Sequence, residues 1–115
     1  METIWSDRID AILSKGLPLR CLGINNWALE RESALAAINV IVELGHAILG
    51  GDVFQLNECG VLVSRDSWFC EPHDGENDKA FVMRSSKKAK AFIELYPRAE
   101  KSALFAIVPL VKSNG

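Results

Sequence analysis

The groups in this chain that could do acid–base, nucleophilic or metal chemistry are few and scattered. Asp52 lies in "HAILGGDVFQL" (46–56), a strand-like run interrupted by Gly50 and Gly51. Along a strand Asp52 shares a face with Phe54 and Leu56, so an inward face would put a carboxylate at the core margin. Burying it without donors would cost several kcal/mol. Backbone amides freed by a glycine bulge, or a Trp indole, would supply those donors. That structural use outweighs catalysis; the alternative is a carboxylate that grips a donor on a partner.

Cys70, Glu71, His73 and Asp74 fall within five residues. Their spacing matches no standard zinc pattern and no second ligand cluster completes it, so a solvated loop is the expectation, with no metal and no cofactor. Cys21, Cys59 and Cys70 have only His46 and His73 as bases, and no nucleophile motif surrounds any of them. An odd cysteine count without a CxxC pair reads as free thiols in a reducing compartment.

Trp68 follows a hairpin in "RDSWFCE", flanked by Asp66 and Glu71. Two readings stand side by side: a Trp that caps the core, or an exposed aromatic anchor ringed by acids, as interfaces favour. Trp27, just before the strongest helix, is expected in the core. Acids concentrate at Asp66, Glu71, Asp74, Glu76 and Asp78. The basic run "RSSKKAK" (84–90) reads as a solvated helix face without interleaved aromatics.

The elements that must position these groups are legible from periodicity. Residues 4–14 look helical, with Trp5, Ile9, Ile12 and Leu13 on one face. "LPLRCLGINNW" (17–27) stays unassigned apart from turn signals at Gly23 and Asn25-Asn26. Ala34, Ala37, Ile38, Ile41 and Val42 give a helix over 30–44, ended by Gly45. The 46–56 run then pairs with a strand starting at 61–63 across a turn at "NECG" (57–60). Two glycines inside a strand call for a bulge or a close approach by another chain segment. A long helix over 78–96 carries Phe81, Ala89, Phe92, Ile93 and Tyr96 and closes at Pro97. A buried strand follows at 102–111, with Pro109 at its end or on an edge. The order α-α-β-β-α-β gives an α+β fold: a small antiparallel or mixed sheet of three or slightly more strands, with helices packed on it.

The 115 residues suit a single domain spanning 1–115, and 49% apolar content supports a folded core. With 13 basic and 15 acidic residues, net charge −2, nothing draws the chain to nucleic acid or to an anionic membrane. There is no signal-peptide pattern, and the longest apolar run (103–111) is about half of a membrane span. A soluble cytoplasmic protein is the expectation.

Gly50, Gly51, Asp52 and Phe54 resemble the Gly-Gly-Asp/Glu-Glu-Phe signature of diguanylate cyclases. Val53 replaces the acid that holds metal there, and the chain is too short for that catalytic domain, so the match is set aside. A broader likeness runs from Trp27 to Tyr96. It comprises a Trp-Ala-Leu entry into a helix, an Ile-Leu-Gly-Gly-Asp-Val strand, a Trp-Phe-Cys element and a Ser/Ala/Lys-rich helix ending near Tyr. This ordered set resembles the bacterial immunity protein 40 family of polymorphic toxin systems. The resemblance implies a non-enzymatic protein that binds a cognate toxin domain and blocks it. Asp52, Asp66, Trp68, Glu71 and Asp74 are then the partner-facing candidates, with Gly50, Gly51 and Trp27 structural. Two alternatives remain: a small metal-binding or enzymatic domain centred on Asp52, His46 or His73, and a ligand-sensing or self-associating module using the 103–111 edge.

Overall fold

The computed structural model describes residues 3–56, 62–97 and 103–111. Ser6 opens the first helix, α1 (Asp7–Leu13), by accepting a hydrogen bond from the Ile9 amide. The helix therefore starts three residues later than the 4–14 pattern. The Asp10 carboxylate folds the preceding residues back, accepting from the Ile4 and Trp5 amides at 2.7 and 3.0 Å. Trp5 still packs on the core, which is why it fits the apolar pattern without being helical.

The unassigned stretch forms two short strands, β1 (Leu17–Pro18) and β2 (Trp27–Ala28), around a 3-10 turn at Arg20–Leu22. Two-residue strands lie below the length at which alternation can be read. Helix α2 (Arg31–Glu43) buries Ala34, Ala37, Ile38 and Ile41, and Gly45 follows it at φ 88°. Strands β3 (Ala47–Leu56) and β4 (Leu62–Phe69) pair antiparallel; their turn, expected at 57–60, lies outside the described residues. Helix α3 (Asp78–Leu95) is capped by Asn77, whose Oδ1 accepts from the Ala80 amide at 2.7 Å. Strand β5 (Ala103–Leu110) returns antiparallel to β3, giving a three-stranded sheet in the order β4-β3-β5. The α+β expectation holds, with β1 and β2 added to it.

The helices cover one face of this sheet. Ile9 and Leu13 from α1, Ile38 and Ile41 from α2, and Ala89 and Ile93 from α3 meet Ile48, Val53, Trp68, Phe105 and Ile107. Ser85 and Ser86 also lie in the buried stripe of α3. Their small side chains let the helix sit close to β3, and Ser85 Oγ accepts from the Ile48 amide at 3.0 Å. On the opposite face Leu19 and Ala28 pack over Phe54, Leu104 and Ala106. The 17–28 segment also closes the outer edge of β5. Leu29 and Phe105 exchange backbone hydrogen bonds of 2.7 and 2.8 Å, and Asn26 Nδ2 donates to the Ile107 carbonyl. Pro109 is the penultimate residue of that outer strand, where a missing N–H is tolerated.

Candidate functional site

The glycines act as the sequence pattern demands, by bulge and by close approach together. The β3–β5 register shifts between Ile48 and Gly50, which leaves Leu49 as the extra residue. Its carbonyl is taken by the Cys70 amide at 2.8 Å. Gly50 adopts φ 154°, and a Cβ there would stand 2.8 Å from Phe69 Cα and run into the Trp68 carbonyl. A Cβ on Gly51 would overlap the six-membered ring of the Trp68 indole and the Ala106 carbonyl oxygen. Gly51 is thus the seat of Trp68.

Trp68 is 6% exposed and stacks on Phe92, with ring centroids 4.7 Å apart and planes 27° apart. The core-capping reading is correct and the exposed-anchor reading is not. Among the described residues its buried indole Nε1 has no hydrogen-bond partner, so it does not serve Asp52. The exposed aromatic is the next residue, Phe69, at 67%. Trp27, expected in the core, is only half-buried and packs against it.

Asp52 pairs across the sheet with Ser67 on one side and Ala106 on the other. That places it with Phe54 on the face away from the helices. Phe54 is sealed under Leu19 and Ala28, but the cover ends before Asp52. The carboxylate opens into a shallow groove of about 280 Å³, with Phe69, Val108, Leu49 and Ser67 around it and the two glycines as its floor. Partial burial raises the Asp52 pKa above its ordinary value. Among the described residues no hydrogen bond or ion pair to its carboxylate is found. The expected donation from the Gly50 and Gly51 amides is therefore not made. At the bulge the Leu49 carbonyl goes to the Cys70 amide and the Ile48 amide to Ser85 Oγ, so neither group serves Asp52.

The remaining candidates lie along β4 and the loop after it. Asp66 is exposed on β4, where its Oδ1 accepts from the Ser67 amide at 2.8 Å. Val53 pairs with Asp66 and Phe54 with Ser64, so Arg65 is a second bulge residue. Glu71 and Asp74 are exposed on the 70–77 loop, on which Arg84 acts as a staple. Its Nε and Nη2 form a fork on Glu76 at 2.9 and 2.8 Å; Nη2 also meets the Glu71 carbonyl, and Nη1 meets Cys70 Sγ at 3.2 Å. Glu76 Oε1 also accepts from the His73 amide at 3.0 Å. The Arg84 hydrogen bonds first, and this amide next, lower the Glu76 pKa to about 2. Glu76 is consequently an internal strut of the loop, and Arg84, the first residue of the basic run, is no longer part of a solvated face.

The structure does not bring the chemistry-bearing groups together. The Asp52 groove contains neither histidine nor any cysteine. His46 borders a different cleft near Asp78, and His73 is exposed on the loop. Cys70 turns inward against Ala47 and Phe81, Cys21 is exposed, and Cys59 lies outside the described residues. Among the described residues no group of three or more His, Cys, Asp or Glu side chains is arranged to hold a metal ion. No described helix is long and apolar enough to cross a membrane.

Fold and surface together define a small α+β domain with one sheet face closed by helices and the other left partly open. Residues 18–109 match the family model of immunity protein 40, and the chain belongs to that family. No curated protein and no solved structure matches it. Membership makes it an immunity protein, and the general partner of such a protein is a toxin.

Proposed function

We propose that this chain binds one cognate toxin domain in the cytoplasm of the bacterium that makes both, and neutralises it by non-covalent occlusion. No bond is made or broken on the immunity protein itself. The family match over 18–109 is the observation that carries this reading. The surface supports it. Asp66, Glu71 and Asp74 are exposed on and just beyond β4, and Arg84 fixes the loop that bears two of them. A pre-ordered acidic margin speeds encounter with a basic partner and loses little entropy on docking. A net charge of −2 makes this local complementarity, as opposed to wholesale charge mimicry.

The test is co-expression with the C-terminal toxin domain encoded by the neighbouring gene. The expected result is a stable complex that survives purification, together with restored growth. A toxin domain that stays lethal and elutes separately from the folded chain would overturn the proposal. Reversing the charges of Asp66 and Glu71 together should weaken protection while the melting temperature is unchanged. Full protection by that variant would place the interface elsewhere.

A further inference from the structure

The fold makes no use of the Asp52 carboxylate in the groove. It is half-buried, it receives no hydrogen bond from the described residues, and its environment favours the neutral form. A carboxylate held this way is poised to gain from an incoming donor more than a fully hydrated one would, because part of its desolvation has already been met in folding. The groove around it is apolar on most of its rim, through Phe69, Val108 and Leu49, and shallow, with Gly50, the neighbour of Asp52 on that face, raising no side chain.

We propose that this groove receives the guanidinium of an arginine on the toxin domain, with Asp52 as its carboxylate partner and Phe69 as its stacking surface. The inference rests on the toxin-binding reading and adds to it the occupant of one site. Charge complementarity selects a cation. The flat, open shape and the aromatic rim select a planar one, because a guanidinium can present two N–H groups to a carboxylate while lying against a ring. Phe69 already shows this affinity: Lys88 Nζ lies 5.5 Å from its ring centroid, yet the side chain remains 67% exposed. Ser67, opposite Asp52 in the register, adds a hydroxyl beside the carboxylate.

The experiment is titration calorimetry of the full chain with the toxin domain from the neighbouring gene, using wild type, Asp52→Asn, Phe69→Ala and Glu94→Gln. Glu94 is exposed on α3, across the sheet from the groove, and controls for loss of one negative charge. The Asp52→Asn chain is expected to be at least as stable as wild type, since it removes an unfavourably placed charge. Its affinity should fall about tenfold to a hundredfold, as befits loss of a charge-assisted hydrogen bond. Phe69→Ala should cost about threefold or more, and Glu94→Gln should bind as wild type does. Blocking the toxin domain's arginines with phenylglyoxal should abolish the difference between wild type and Asp52→Asn, whereas acetylating its lysines should preserve it. Wild-type affinity in Asp52→Asn overturns the inference and leaves the occlusion mechanism standing. The reverse pattern of chemical blocking overturns the guanidinium assignment. A wild-type chain that does not bind the toxin domain defeats the underlying reading, and this inference with it.

Discussion

A single methyl group placed on Gly51 tests how the core and the outer face are joined. The added carbon would lie 2.7 Å from Cζ3 of Trp68 and closer still to Cη2 and to the Ala106 carbonyl oxygen. The indole can yield by rotating, but rotation breaks its stack on Phe92. The carbonyl cannot yield without moving β5, which is bonded to β3 on one side and to Leu29 on the other. Overpacking of a tight core costs about 1–3 kcal/mol, and a lost aromatic stack adds about 0.5–1.5 kcal/mol. Gly51→Ala should therefore destabilise by about 2–4 kcal/mol, from a total stability of about 5–15 kcal/mol for a domain of ordinary stability. Urea denaturation followed by fluorescence and by far-UV circular dichroism gives the number. A second background separates the two clashes. With Trp68→Leu already present, Gly51→Ala should cost less by about 1 kcal/mol or more, the remainder being the Ala106 contact. A cost below about 0.5 kcal/mol, or one equal in both backgrounds, would refute the claim that Gly51 exists to seat the indole.

Two further outcomes follow from hydrogen bonds. Ser85→Ala leaves the Ile48 amide, in a fully buried stretch, without its acceptor, and should destabilise by about 1–3 kcal/mol in the same denaturation assay; an unchanged midpoint would mean that the amide has another partner. Glu76 has a folded-state pKa of about 2 against an ordinary 4.5, so its contribution to the 70–77 loop is complete above about pH 4.5 and is lost as pH falls toward 2. The protection factor of the His73 amide, which donates to Glu76, should fall across that window while the core amides stay protected. Glu76→Gln should remove the pH dependence, and protection unaltered down to pH 2 in the wild type would count against the strut.

Long amphipathic patterns were readable because they repeat. The 34, 37, 38, 41 spacing of α2 survives any error at its ends, and α3 is read from Phe81, Ala89 and Ile93 although Ser85 and Ser86 share the same stripe. The glycine pair was readable too, since a strand interior tolerates glycine only for a geometric reason. The phase of β4 was not. Trp68 and Phe69 are adjacent aromatics, and one residue of slip decides which is buried. The bulge at Arg65 sits just upstream, and it depends on the pairing with β3 and not on local composition. The β1–β2 clip was invisible for a different reason. It holds Leu19 and Ala28 over the outer face through long-range contacts, and those two residues carry no period of their own. Without that clip the distinction between the sealed Phe54 and the open Asp52, two residues apart on one face, cannot be drawn.

That distinction also resolves why an aspartate follows the two glycines. Gly51 leaves space on the helix side for the indole, and Gly50 lets the β4 backbone approach at the bulge. Gly50, which shares the outer face with Asp52, leaves that face low there, so the next side chain on it stands beside a hollow that the 17–28 segment does not reach. A residue serving the fold there would be apolar, as Phe54 and Ala106 are under the clip, or would carry its own donors, as Asn26 and Ser85 do where they are buried. Asp52 is neither. The fold gains nothing from its charge and is expected to lose a little, and a partner that supplies two N–H groups would reverse that sign. The glycine pair that completes the core therefore also shapes the floor of the groove, and the aspartate beside it is the part left over for recognition.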